Sequence, residues 1–152
     1  MTAPVIRIAG AADAPVLAAL RRAWTAEQDG DVDDEGFEAR FLDWFDREWG
    51  HRVPWLAEVS GEAVGMMSLV VFDRMPSPGR DAGSWGYLSN AFVLAAHRDQ
   101  GIGSLLLRAL LEYADDHGYL RVVLRPSERA IPFYERLGFS AYNSLLVRHR
   151  PA

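Results

Sequence analysis

Arg98-Asp99-Gln100-Gly101-Ile102-Gly103 lies between a strand-like run, Tyr87 to Leu94, and an apolar helical run that begins at Ser104. Glycines at such a junction let the backbone come close to a ligand, because no Cβ stands in the way. The first turn of the following helix leaves N–H groups unpaired, and these carry partial positive charge. Phosphate is the usual guest of such a turn. The chemistry suggested is therefore a backbone grip on a phosphate-bearing cofactor.

The elements that position this turn can be read from periodicity and punctuation. Val5-Ile6-Arg7-Ile8 is a short β-type run, and Asp13 can cap a helix with Val16, Leu17, Leu20 and Trp24 on one face. After an acidic break from Asp29 to Asp34, a second helix carries Phe37, Phe41, Phe45 and Trp49 at four-residue spacing, which reads as a core stripe. Two runs, 55–59 and 63–72, form a hairpin with Gly61 at its turn. The stretch from Asp73 to Gly83, with Pro76, Pro78 and Gly79, is a loop. A strand from Trp85 to Leu94, a helix from Ile102 to His117 and a strand from Leu120 to Leu124 make a crossover unit with parallel strands. A short helix around Arg129 to Leu137 and a last strand from Ala141 to His149 complete the order. The prediction is one α/β domain over residues 1–152, with a mixed sheet.

Composition removes several chemistries. The 152 residues are 49% hydrophobic and 24% charged, as in ordinary globular proteins. There is no cysteine, hence no disulfide, no thiolate metal site and no thiol nucleophile. All 16 basic residues are arginine, so no lysine exists for a P-loop or a Schiff base. The four histidines, His51, His97, His117 and His149, are scattered, and no metal site is expected. No secretory leader or membrane-spanning run is visible, so a cytoplasmic protein is expected. Residues 1–89 carry a balance of −7 and residues 90–152 a balance of +2. Ten of the acids fall between Glu27 and Glu48, a solvated helical face or a region suited to a cationic second substrate. The overall charge of −5 argues against nucleic acid as a partner.

Two motifs then meet. Arg98-x-x-Gly101-x-Gly103 resembles the acyl-CoA signature of the GNAT N-acetyltransferase superfamily, and Ala130-Ile131-Pro132-Phe133-Tyr134-Glu135-Arg136-Leu137-Gly138-Phe139 resembles its second signature. They stand in the family's order and spacing, and the preceding elements match as well. The resemblance implies a mostly antiparallel central sheet flanked by helices, with one parallel strand-helix-strand unit. It implies that acetyl-CoA is co-substrate. The backbone of Arg98, Asp99, Gln100, Gly101, Ile102, Gly103 and Ser104 would bind the CoA pyrophosphate, and that of Ala91, Phe92 and Val93 the pantetheine arm. Ser127 stands where many members place an asparagine that touches the pantetheine. Departures include Ala95 for a common proline, His97 for an aromatic, and Asp99, an acid expected to point to solvent.

Acyl transfer from a thioester to an amine needs a neutral amine, a donor for the oxyanion, a proton for the leaving thiolate and a shared site. Without cysteine, direct attack in a ternary complex replaces any covalent acyl-thiol relay. Tyr134 is the candidate general acid, since a phenol of pKa about 10 keeps its proton beside a thiol of about 8.5. The resemblance makes the Val93 N–H the oxyanion donor. For the proton leaving the amine, Ser89 or Asn90 can order a water, and Glu58, Glu27 and Asp31 are carboxylate candidates. Strand alternation puts Tyr87, Ser89 and Ala91 on one face and Leu88, Asn90 and Phe92 on the other. Trp24, Phe37, Trp44 and Trp85 can line an amine pocket through cation–π contact.

The function expected is an acetyl-CoA-dependent N-acetyltransferase acting on a primary amine. A non-catalytic acyl-CoA sensor or interaction module on the same fold is the alternative. A dinucleotide-binding reading needs a third glycine where Leu106 stands. A homodimer through the last strand or the 73–83 loop is compatible with a domain of this size.

Overall fold

The computed structural model describes residues 2–142 and 144–152. Strands β1 (Val5–Ile8), β2 (Arg52–Val59), β3 (Glu62–Asp73), β4 (Ser84–Val93) and β5 (Val122–Val123) form one sheet in that order. Neighbours are antiparallel except β4 and β5, which are parallel. Helices α1 (Ala14–Asp29) and α2 (Phe37–Glu48) precede β2, α3 (Ile102–Asp116) connects β4 to β5, and α4 (Ile131–Arg136) follows. The mixed, mostly antiparallel sheet with a parallel β4-α3-β5 unit is thus present.

Each face of the sheet has its own core. Trp55, Ala57, Met67, Leu69 and Leu88 pack under α3 through Ile102, Leu106, Leu107 and Leu110. On the other face Leu56, Met66 and Phe92 meet Leu17 and Leu20 of α1 and Phe45 of α2. The helices bury only part of the stripes expected from sequence, Leu17 and Leu20 on α1 and Phe45 on α2, while Val16 and Trp49 at the stripe ends are exposed. Gly86 allows the closest approach within this core, since a Cβ there would stand 2.5 Å from Leu69 Cδ1. The β2–β3 hairpin turns through Ser60 and Gly61, both at positive φ (52° and 82°), as a two-residue type I′ turn requires.

The strand expected over Ala141–His149 does not form among its described residues; Asn143 lies outside them. Leu145 and Leu146 are 80% and 101% exposed. The run has β-type residues but no ladder to join, because strand propensity takes effect only against a partner. The edge strand that precedes it in the chain, β5, is two residues long.

One ion-pair cluster ties the start of the chain to the sheet. Arg7 Nη1 and Nη2 donate to the two oxygens of Asp13, each at 2.8 Å, and Arg7 Nε donates to Glu58. The Gly10 N–H also donates to Asp13 Oδ2, at 2.7 Å. The Arg7 hydrogen bonds, against the opposing effect of burial, hold the Asp13 carboxyl down at about 2. A carboxyl depressed on folding stabilises the protein above its unfolded value and loses that contribution as pH falls through the folded one. Urea unfolding followed against pH should therefore weaken between about pH 4 and pH 2. Asp13→Asn should lower neutral-pH stability by about 1 kcal/mol and flatten that acid limb.

Candidate functional site

The site begins with one residue too many in β4. Ser89 pairs with Ser68 and Phe92 with Met66, so Asn90 and Ala91 together oppose Met67. This is a β-bulge, and Asn90 takes φ 56° to make it. Asparagine is one of the few non-glycine residues that adopt this conformation readily. The bulge corrects the alternation expected from sequence. Leu88 and Ala91 pack on the α3 side, whereas Ser89, Asn90 and Phe92 turn to the α1–α2 side.

The bulge also lies just past the end of the parallel pairing. β5 holds β4 only at Gly86 and Tyr87, through Val122 and Val123. Beyond Tyr87 no strand lies beside that edge of β4 among the described residues. Leu94 N–H donates to Val64 O across the antiparallel side, at 2.8 Å. Successive residues of an extended chain point their N–H groups to opposite sides, so the Val93 N–H faces the open edge. The Val93 carbonyl, on the same side, accepts from Arg98 Nε at 2.9 Å.

Arg98 is the clamp of the following turn. Its Nη2 donates to Glu27 Oε2 of α1 at 2.6 Å, and this bond holds the Glu27 carboxyl below its usual range. The Arg98 backbone N–H closes a turn onto Ala95 O at 3.3 Å, so of the seven amides expected to face phosphate, this one is already engaged. Asp99 is exposed, as expected, at φ 59°. Gln100 is also exposed and its side chain donates to Ala96 O at 3.4 Å. Gly101 takes φ 83° and starts α3, whose first closing bond is Leu105 N–H to Gly101 O at 3.1 Å. The N–H groups of Ile102, Gly103 and Ser104 precede that bond and form the helix's open first turn. A Cβ on Gly103 would stand 3.6 Å from Phe133 Cζ, which brings the turn against α4.

Next to this turn, Ser104, Arg108, Phe133, Arg136 and Leu137 line a cleft of about 390 Å³ between α3 and α4. Arg108 and Arg136 were not singled out from sequence. The signal was present, since Arg108 stands one helical turn after Ser104 and Arg136 lies inside the second motif. Tyr134, on α4, is buried and meets the rings of Phe133 and Phe139 edge-on, at 5.0 and 5.7 Å. Burial pushes its phenol above the ordinary value, so it carries its proton throughout the neutral range. Ser127 begins the turn before α4 with its carbonyl, which accepts from Ala130 N–H at 3.0 Å, and its hydroxyl does not cap that turn.

On the opposite face a second cleft, about 290 Å³, opens between α1, α2 and the bulge. Phe37, Phe41, Trp44 and Phe45 line it, so the aromatic stripe of α2 serves both core and cleft. Trp24 lies behind this lining, stacked on Phe92 at 5.5 Å, and Trp85 stacks on Phe72 at 4.6 Å elsewhere. Asn90 is fixed here by Arg52, whose Nη1 donates to Asn90 Oδ1 at 3.0 Å and to Ser89 Oγ at 3.2 Å. Ser89 Oγ also donates to Asn90 Oδ1, at 3.1 Å. Both lone pairs of that oxygen are thereby engaged, which leaves Asn90 its two N–H donors. Arg52 is anchored in turn on Glu48 at 3.1 Å. Burial resists ionisation of Glu48, but Arg52 and His51 outweigh it and lower its pKa.

The carboxylate candidates are placed differently. Glu58 opposes Val5 and Ala63 in the sheet and is bound by Arg7, away from the lining of either cleft. Glu27 is bound by Arg98, and Asp31 is exposed in the α1–α2 connection. The site therefore brings together Asn90, Ala91, Phe92, Val93 and the start of α3, and it does not bring Glu58 to them. Among the described residues no cluster of three or more potential metal ligands occurs, and no helix is long and apolar enough to cross a membrane.

Residues 17–139 match the sequence model of the acetyltransferase (GNAT) family. A glucosamine 6-phosphate N-acetyltransferase of Trypanosoma brucei brucei is 34% identical over 83 residues, which cover 55% of this chain and 54% of that protein. N-acetyltransferase family 8 member 2 of Rattus norvegicus is 38% identical over 88 residues, covering 56% and 37%. The chain thus spans about half, or less, of these curated relatives. Among solved structures, a predicted acetyltransferase with acetyl-CoA from Clostridium acetobutylicum shares the fold at TM-score 0.78 and 19% identity, over 97% of this chain and 96% of that one. The glucosamine-6-phosphate N-acetyltransferase of Arabidopsis thaliana does so at 0.75 and 17%, over 97% and 98%.

The geometry separates the roles of the two glycines. Gly101→Ala would place a Cβ in open space but at φ 83°, so it should cost about 1 kcal/mol in chemical denaturation through backbone strain. Gly103→Ala meets only an ordinary contact with Phe133 and should leave the stability of the free protein nearly unchanged.

Proposed function

This chain belongs to the acetyltransferase (GNAT) family, and we propose that it moves an acetyl group from acetyl-CoA to a primary amine by direct attack in a ternary complex. The observation that carries this reading is the open edge of β4 beyond Tyr87, which leads from the Asn90 bulge into the Gly101 turn. The three unpaired amides that open α3 suit the pyrophosphate of CoA. Arg108 and Arg136 suit its remaining phosphate, and the edge at Ala91, Phe92 and Val93 suits an amide-bearing arm that pairs as a strand would. Ser127 keeps a hydroxyl available for the same arm. These fits are made by backbone shape and arginine charge and involve no metal ligand.

When bound, acetyl-CoA supplies an activated thioester. The chain's own groups then divide the work. The Val93 N–H donates toward the acyl oxygen, where negative charge develops during attack. Tyr134 holds a proton at its phenolic oxygen, which burial keeps neutral, and is suited to deliver it to the departing sulfur. Asn90, its oxygen held by Arg52 and Ser89, presents N–H donors that orient the acceptor or a water beside it. The Arg7-bound carboxylate of Glu58 has no comparable position, so a water chain past Ser89 and Asn90 is the better route for the amine's proton. The trypanosomal relative is named for an amino-sugar acceptor, which supports an amine acceptor here.

Thermal denaturation beside acetyl-CoA, CoA, ATP and NAD tests the cofactor. A ligand at about 100 times its Kd adds roughly 2.7 kcal/mol, and the shift should appear with the two CoA compounds alone. A shift with ATP or NAD instead overturns the reading. In thiol-release assays Tyr134→Phe should lower kcat by about 100-fold while leaving the acetyl-CoA shift intact. Unchanged turnover would remove Tyr134 from the mechanism.

A further inference from the structure

We propose that the acceptor amine carries a second, anionic group, a carboxylate or a phosphate, and that Arg21 binds it. This rests on the reading above that the α1–α2 cleft receives the acceptor. The acidic region suggested a cationic substrate, but its carboxylates are not in the cleft wall. Apart from Ser68 and Asn90, the polar lining consists of Arg21, Arg40 and Arg52.

The carboxylates of this region that form ion pairs do so with other arginines. Glu27 binds Arg98, Asp34 binds Arg40 at 2.6 Å, Glu38 binds Arg22 at 2.7 Å, and Glu48 binds Arg52. Arg21, adjacent to Arg22 in sequence, has no carboxylate within ion-pair distance among the described residues. Its Nη1 is buried without a hydrogen-bond partner among the described residues. Its guanidinium lies 4.3 Å from the centre of the Trp24 ring. That contact orients the cation but does not supply the acceptor its N–H groups require. A guanidinium preoriented on an aromatic face in an apolar cleft is a binding group for a planar or tetrahedral oxyanion.

The rest of the cleft agrees. The Asn90 oxygen is engaged by Arg52 and Ser89, so the bulge also presents donors. A cationic polyamine would meet arginines and amide N–H groups. A compact amine with an anionic end would have that end on Arg21 and its body against Phe37, Phe41 and Trp44. The cleft, at about 290 Å³, has the size for a small molecule.

Isothermal titration with phenylacetate, phenyl phosphate and phenethylamine tests this, using protein loaded with free CoA so that the phosphate-binding turn is filled. At least one anionic probe should bind, and phenethylamine should bind more weakly. The tighter anion tells carboxylate from phosphate. Arg21→Gln should weaken the anion by roughly 10- to 100-fold, Arg21→Lys should restore part of it, and CoA binding should be unchanged in both. Absence of anion binding, preference for phenethylamine, or indifference to Arg21→Gln overturns the proposal. Failure of CoA to bind would instead strike the cofactor reading, and the same titrations on the free protein would still decide the role of Arg21.

Discussion

The site depends on Asn90 in the left-handed conformation, held by Arg52. A single extra residue in β4 does three things at once. It turns Asn90 into the α1–α2 cleft with Ser89 bound behind it, it returns Phe92 to the core under α1, and it lies just past the point where the strand leaves β5. Because side chains alternate along a strand, an insertion of one residue reverses every face beyond it. The conformation is secured from the side chain. Arg52 spans from Glu48 on α2 to the Asn90 oxygen and lies 4.9 Å from the Trp44 ring centre, so helix, strand and bulge are bound through one guanidinium.

Arginine recurs as the connecting residue. Arg7 joins β1 to β2 and to the turn before α1, Arg22 joins α1 to α2, and Arg98 joins the turn before α3 to both β4 and α1. Each uses the fork of a guanidinium to reach more than one acceptor, which an ammonium point charge does less well. Four of the ten acids between Glu27 and Glu48, namely Glu27, Asp34, Glu38 and Glu48, thereby become structural partners of arginines, and none of the ten lines the neighbouring cleft. Surface pairs of this kind add little stability individually, but they fix which way each side chain points.

Much of this was legible from residue types. The Gly101 turn, the apolar face of α3 and the hairpin at Gly61 were each predicted by local rules and lie where those rules put them, whereas the Tyr134 motif was legible only through its resemblance to a family signature. Non-local facts were not legible. Alternation separated Ser89 from Asn90, since nothing near them in sequence declares a bulge whose side chains are bound by Arg52, 38 residues from Asn90. The run at 141–149 carries β-type side chains, but a strand also needs an edge, and β5 offers a short one. Glu58 has a carboxylate's chemistry, and only the fold shows that Arg7 occupies it. The stripe on α2 was read as core, and it is core at Phe45 and cleft wall at Phe37 and Phe41, a division that depends on where α1 lies.

The central claim is that the edge opened at the bulge and the first turn of α3 form one continuous backbone site for acetyl-CoA. Amide NMR of the protein, with and without acetyl-CoA, tests it most directly. The account predicts that the resonances of Ala91 to Val93 and of Gly101 to Ser104 shift together with a single affinity, while those around Arg7, Asp13 and Glu58 stay in place. Shifts absent from both segments, or confined to the α1–α2 cleft, would contradict it.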